Sequence, residues 1–128
     1  MPDSKGYIRN EDDKGSVNIS EDVIAVIAAT ATVEIEGVHS LFHASGREVA
    51  GTLSKKGLSR GVKLIIDGDD VTIDLYVIAE MGYSVSEVGA EIQRGVMSAV
   101  EAAVGISVKA VNINICGISL KSKSKTHD

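Results

Sequence analysis

The chain has 128 residues, of which 44% are hydrophobic but only 3% aromatic, and its formal net charge is −5. This length suffices for one ordinary domain with a core built from Val, Ile, Leu and Ala. The acidic balance disfavours general binding to nucleic-acid phosphates, and the scarcity of aromatic side chains leaves few platforms for stacking bases. A single cysteine cannot form an internal disulfide, and no apolar run approaches the ~20 residues that cross a bilayer as a helix, so we expect a cytoplasmic protein.

The N-terminal part of the chain changes character at residue 15. Residues 1–14 are rich in charge and are predicted to be a disordered arm. Residues 16–19 alternate polar and apolar and predict a short strand. Ser20 is a good helix N-cap, and the acids that follow it favour the positive end of the helix dipole, so a first helix is predicted from Glu21 to Glu36, before Gly37.

The first helix is apolar around nearly its whole circumference. Its main stripe recurs at helical spacing, but Val23 and Val26 lie off that stripe. Because one small sheet covers one side of a helix, the other side needs the following segment or a second chain. Residues 39–60 show no sustained period and are predicted to be a loop, with an irregular turn around residues 47–53.

In the second half of the chain, two segments alternate polar and apolar residues as strands do. Residues 62–66 and 71–79 are predicted strands joined at Asp67-Gly68, a dipeptide that tolerates tight hairpin turns. Ser84 and Glu87 have capping-box spacing and open a second helix that Gly105 ends. A last strand is predicted from about residue 107 to residue 116.

The element order is therefore β-α-β-β-α-β. It predicts an α+β fold, a small open sheet with two helices packed on one face. Residues 15–120 would form the single domain, and residues 121–128 a polar C-terminal tail. That tail carries Lys121, Lys123 and Lys125, too few charges to anchor a protein to anionic lipid.

Three stretches carry a family resemblance. The first is Gly15-Ser-Val-Asn-Ile-Ser20 with the Val-Ile-Ala repeats and Glu34-Ile-Glu-Gly-Val38 after it. The second is Val71-Thr-Ile-Asp-Leu-Tyr76 with Glu80 and Gly82, and the third is Val111-Asn-Ile-Asn-Ile115 with Gly117-Ile118. In order and spacing they resemble the alkaline shock protein family of bacterial envelope stress response proteins.

This resemblance implies a cytoplasmic, self-associating protein without known catalysis. It also implies that a separate anchor protein holds the chain near the membrane, with a role in cell-envelope homeostasis. The family provides no catalytic residues to transfer to this sequence.

Candidate chemistry in the sequence has simpler structural explanations. Gly46 and Gly51 have the outer spacing of a P-loop, but Thr52 stands where the lysine belongs. His39, His43 and Cys116 are possible metal ligands by type, yet no spacing requires a site. The acids at 67, 69 and 70 lack the closing Glu of a calcium loop. We therefore expect no catalytic residues, no metal site and no cofactor.

The second face of the predicted sheet is the more informative feature. Apolar, aromatic and amide side chains should share it, a mixture typical of adhesive but hydrated surfaces. Together with the apolar excess on the first helix, it predicts a homo-oligomer or another protein partner. The candidate partner-surface residues are Lys63, Asp74, Tyr76, Ile78, Asn112, Asn114, Val23 and Val26.

The sequence favours a non-catalytic interaction protein and leaves two alternatives open. A small RNA-binding α+β module is one, although the acidic charge and the absence of a Gly-x-x-Gly clamp oppose it. An enzyme whose middle loop covers a site is the other, although no convergent set of titratable residues is visible.

Overall fold

A hairpin forms the centre of the computed structural model, which describes residues 7–12, 14–42, 48–49 and 61–120. Strands β5 (Val62–Asp67) and β6 (Asp70–Glu80) pair antiparallel. The turn between them contains Gly68 at a φ of 63°, a left-handed conformation that glycine adopts without steric cost. The predicted hairpin is confirmed.

Strand β6 is the central strand because it pairs with three other strands, one along one edge and two along the other. Strand β7 (Ser107–Ser119) runs parallel to β6 along its whole length. On the other edge, β5 pairs with the first half of β6, and β3 (Val38–Phe42) pairs antiparallel with the second half. A two-residue strand, β4 (Glu48–Val49), pairs with β3.

A separate two-stranded sheet precedes the first helix. Strands β1 (Tyr7–Asp12) and β2 (Gly15–Ser20) pair antiparallel. Strand β1 thus lies within the segment for which the composition predicts a disordered arm.

The two helices begin where their caps predict. Helix α1 (Glu21–Val33) follows Ser20, whose Oγ accepts a hydrogen bond from the backbone N–H of Val23 at 3.3 Å. Helix α2 (Val85–Val104) follows Ser84, whose Oγ accepts from the N–H of Glu87 at 3.4 Å. Gly105 ends α2 in the left-handed conformation.

The hydrophobic core lies between the two helices and one face of the sheet. Strand β6 contributes every second residue from Val71 to Ala79, as the period of a strand requires. Helix α2 contributes Val88, Ile92 and the residues that follow at helical spacing. An α+β fold with both helices on one face of a small sheet is confirmed.

The structure also corrects the sequence predictions at β3, at the end of α1 and at the end of β7, which extends to Ser119 beyond the predicted residue 116. Residues 39–42, predicted as part of a loop, belong to β3. A β-bulge at His39 interrupts the alternation of side chains between the two faces of this strand. Val38 and Leu41, on either side of the bulge, both reach the core. Helix α1 ends at Val33, one turn before the predicted Glu36. The turn predicted around residues 47–53 lies outside the described residues, apart from β4.

Candidate interaction surfaces

The sheet face opposite the helices brings together most of the predicted surface residues. The strand register aligns Lys63 of β5 with Asp74 of β6, and Asp74 with Asn112 of β7. One step along, Tyr76 lies beside Asn114. We call this side of the sheet, which includes Ile78, the open face.

Two amide side chains tie β7 to β6 at this face. Nδ2 of Asn112 donates to Oδ1 of Asp74 at 2.8 Å, and Nδ2 of Asn114 donates to the backbone oxygen of Leu75 at 3.1 Å. Because both amides remain exposed, their remaining hydrogen-bonding capacity faces outward.

The open face is neither fully buried nor fully polar. Ile78 is only 8% exposed, whereas Ile65 is 46% exposed. Asp74 and Tyr76 are half-buried, and Lys63 is exposed. The arrangement presents an aromatic ring, an aliphatic side chain and ordered polar groups side by side, which suits protein binding.

Strand β3 adds two residues that sequence reasoning missed. Ser40 lies opposite Ile78 on the open face. Phe42 follows the core residue Leu41, and because successive side chains of a strand point to opposite faces, Phe42 also lies on the open face. The hydroxyl of Ser40 is buried and has no hydrogen-bond partner among the residues that the structure describes. Because the bulge at His39 interrupts the alternation of side chains along β3, the sequence pattern does not place Ser40 or Phe42 on this face.

Two of the predicted surface residues lie elsewhere. Val23, 39% exposed, and the half-buried Val26 belong to the outer stripe of α1, in the helix layer and away from the open face. The predicted set therefore occupies two separate surfaces.

The described residues show no metal-binding cluster. No group of three or more His, Cys, Asp or Glu side chains within this part of the chain is arranged to hold an ion. His39 is half-buried in β3 and Cys116 is exposed on β7. His43, Gly46 and Gly51 lie outside the described residues.

A groove that the sequence did not predict lies between the end of α1 and the start of α2. Its volume is about 510 Å³, and its lining includes Glu34, Glu36, Glu87, Glu91 and Arg94. Nη2 of Arg94 forms a salt bridge with Oε2 of Glu91 at 2.6 Å, so the charge of one of these glutamates is compensated within α2.

Tyr83 also lines this groove. Its hydroxyl donates a hydrogen bond to Oε2 of Glu36 at 3.1 Å. This hydrogen bond to a carboxylate raises the pKa of Tyr83, with smaller contributions from desolvation and the negative charges of Glu36 and Glu80.

Within the described segments, no helix is long and apolar enough to cross a membrane. Residues 9–120 match the model of the alkaline shock protein 23 family, which has a cell envelope-related function. The chain belongs to this family. The resemblance carried by the three sequence stretches is thereby confirmed.

Similar proteins occur in two bacteria. The chain is 38% identical over 112 residues to the protein Spy1535 of Streptococcus pyogenes serotype M6, covering 87% of this chain and 84% of that protein. It is 33% identical over 108 residues to YloU of Bacillus subtilis, covering 81% and 88%.

Among solved structures, the chain is similar to forms of the MamM CTD. Two of these cover 76% and 78% of this chain and 94% and 88% of theirs, at 14% and 12% identity and TM-scores of 0.48 and 0.49. Both TM-scores lie below one half.

Proposed function

We propose that this member of the alkaline shock protein family is a non-catalytic assembly protein of the cell envelope. It acts in the cytoplasm, associates with copies of itself, and is recruited to the membrane by a separate anchor protein. The open face carries this proposal because it is a continuous, ordered surface without a set of reactive side chains.

The partner surface is assigned to Lys63, Asp74, Tyr76, Ile78, Asn112 and Asn114. Tyr76 is the central anchor because a half-buried aromatic ring gives contact area at a low cost in conformational entropy. Asp74 is held by Asn112, so its carboxylate is already oriented for a donor on the partner. The outer stripe of α1, with Val23 and Val26, is a second contact surface.

The chemistry of the described residues supports binding over catalysis. Asp74 and Glu80 lie six residues apart on one strand, roughly 20 Å by the rise of a strand, and cannot act as an acid-base pair. An RNA-binding role would need cationic groups around the open face, whereas Asp74 lies at its centre and the chain carries a net charge of −5.

Site-specific photocrosslinking in cells tests the partner surface. A photoreactive residue replacing Tyr76 should capture a membrane protein, and the same residue replacing Ser98, exposed on α2, should not. Tyr76→Lys should release the protein from the membrane fraction while its circular dichroism spectrum stays unchanged. Identical adducts at both positions, or RNA as the main adduct, would contradict the proposal.

A further inference from the structure

The groove between the end of α1 and the start of α2 has a packed apolar floor. Ile35 extends from the end of α1 to α2, where its Cδ1 lies 3.3 Å from the position of a Cβ at Gly95. The ring of Tyr83 lies against Gly37, and Val88, which also lines the groove, is 4% exposed. Because these side chains are already packed against one another, the groove is preformed, which lowers the entropic cost of binding. Its volume of about 510 Å³ lies within the ~300–1,000 Å³ typical of binding sites.

The rim of this groove is negatively charged. Among the described residues that line it, four glutamate carboxylates and one guanidinium give a net charge of −3. The guanidinium of Arg94 is already paired with Glu91. The other three carboxylates belong to exposed residues, Glu34, Glu36 and Glu87. We call this site the acidic groove.

Tyr83 experiences the negative potential of the acidic groove. Its hydroxyl is a neutral donor to Glu36, so the hydrogen bond leaves the charge of that carboxylate uncompensated. The hydrogen bond to Glu36 raises the pKa of Tyr83, and desolvation and the charges of Glu36 and Glu80 raise it further. The same potential that disfavours a tyrosinate favours a cation at this place.

Exposed apolar side chains continue from the acidic groove to the end of the sheet. Tyr83 is 40% exposed, and Met81 and Val85, two positions away on either side, are 61% and 41% exposed. The N–H of Met81 donates to the oxygen of Ser119 at 2.9 Å, which joins this segment to the end of β7. The next residue, Leu120, is 78% exposed. We call Met81, Tyr83, Val85 and Leu120 the apolar strip, and clustered exposure of this kind marks an interaction surface.

We propose that the acidic groove and the apolar strip together bind a segment of a partner protein that combines Lys or Arg with apolar side chains. The cationic side chains enter the groove opposite Glu34, Glu36 and Glu87, and the apolar ones cover the strip. Because the strip extends beyond the groove, a small cation would occupy only part of the site.

Charge complementarity selects this partner. An anionic lipid surface or a nucleic acid would bring like charge to the acidic groove, and a second copy of the chain carries a net charge of −5. The site goes beyond the proposed function, because it lies in the helix layer and at the end of the sheet, apart from the open face and from Val23 and Val26.

Fluorescence anisotropy with a short labelled peptide of alternating Leu and Lys tests the acidic groove. E34K/E87Q should raise the Kd of the peptide about tenfold, because one attractive charge is reversed and another is removed. Lysine suits the position of Glu34 at the end of α1, and glutamine can replace the capping Glu87, so the variant should fold.

The matched control for charge is D67K/D69N, which changes the net charge by the same amount. Its two residues lie at the hairpin turn, at the opposite end of β6, roughly 30 Å away by the rise of a strand. Since charges at this distance are screened in about 0.1 M salt, the control should leave the Kd nearly unchanged. Equal effects of the two variants would overturn the site.

The apolar strip is tested by M81S/V85S, which should also weaken binding of the peptide. Its matched control is V17S/I65S, which removes two apolar side chains, 60% and 46% exposed, outside the strip. This control should bind as the wild type does. A peptide in which Ser replaces every Leu keeps its charge and should bind the wild type more weakly. Equal binding of the two peptides would show that charge acts alone and would contradict the proposed partner.

Three further outcomes decide between this site and the other surfaces. A wild-type chain that does not bind the Leu and Lys peptide would remove the proposal. Loss of self-association by E34K/E87Q in sedimentation would make a second copy the occupant and overturn it as well. Tyr76→Lys, which disables the open face, should bind the peptide as the wild type does. Failure of the open face would therefore leave the acidic groove intact, and peptide binding lost in Tyr76→Lys would refute the groove alone.

Discussion

Two glycines with nearly the same backbone angle differ in what surrounds them. Gly37 has a φ of 96° and Gly82 a φ of 99°. A Cβ at Gly37 would lie 2.6 Å from Cγ2 of Val88 and 3.1 Å from the ring of Tyr83, whereas a Cβ at Gly82 would meet nothing within 4 Å. Alanine at Gly82 would therefore experience backbone strain alone, whereas alanine at Gly37 would experience the same strain and a steric clash.

We expect Gly82→Ala to lower the free energy of unfolding by about 1–2 kcal/mol, the cost of a left-handed alanine. Gly37→Ala should lower the free energy of unfolding by a further ~1–3 kcal/mol, because α2 and Tyr83 must shift to make room for the methyl group. Urea unfolding of both variants measures the difference. Equal losses would show that the contact with Val88 relaxes freely.

Tyr83 should titrate above its ordinary pKa because its hydroxyl donates to Glu36. Ionised Tyr83 would lose that hydrogen bond and face the carboxylate. The folded-state pKa lies above the unfolded one, so the contribution to stability is present below the unfolded pKa and is lost as the pH rises through the folded value.

Glu36→Gln should lower the pKa of Tyr83 toward its ordinary value, since the charge is removed and an amide accepts more weakly. NMR titration of the Tyr83 ring above neutral pH, in the wild-type and the variant protein, measures this change in pKa. A pKa of Tyr83 that is unchanged in the variant would exclude Glu36 as the main cause.

Single residues with a strong local role were predictable from the sequence, and residues with a non-local role were not. Ser20, Ser84 and Gly105 cap helices through atoms within a few positions of the chain, so local spacing identified them. Ser40 and Phe42 reach the open face only because β3 pairs with β6, more than thirty residues later. No local pattern encodes that pairing.

At the scale of elements, α2 depends on its cap and on its apolar stripe. Ser84→Ala should lower the free energy of unfolding by about 1 kcal/mol, because the N–H of Glu87 loses its acceptor. Ser98→Ala, at an exposed position within the same helix, should leave stability unchanged or raise it slightly, since alanine is the better helix former. Thermal unfolding compares the two variants. A loss of stability in Ser98→Ala as large as that in Ser84→Ala would show that the hydrogen bond of the cap does not stabilise α2.

The elements with a clean period were recovered from the sequence, and the exceptions have physical causes. Strand β5 alternates along its length, β6 alternates up to Val77 and β7 from Val111 onward, and both helices carry helical stripes. Strand β3 is interrupted by its bulge, and β1 is too charged to suggest a strand. The parallel pairing of β7 with β6 follows from the α2 crossover, which fixes orientation but not strand order.

At the scale of the whole molecule, the proposed self-association has a consequence for membrane recruitment. Each copy in an assembly carries its own open face. An assembly whose open faces point in one direction could engage more than one anchor protein in a membrane at once.

Multivalent binding predicts that losing self-association weakens membrane recruitment even when the open face is intact. A second binding event on the same surface is intramolecular, and avidity of this kind reaches about 10²–10⁴-fold. Val23→Glu places a charge on the outer stripe of α1, the second proposed contact surface, where Val23 is 39% exposed. This variant should lose self-association and be depleted from the membrane fraction, although its monomers still carry Tyr76. Sedimentation and quantitative fractionation of the same variant measure the two effects. A monomeric Val23→Glu variant that is recruited as well as the wild type would remove the multivalent mechanism.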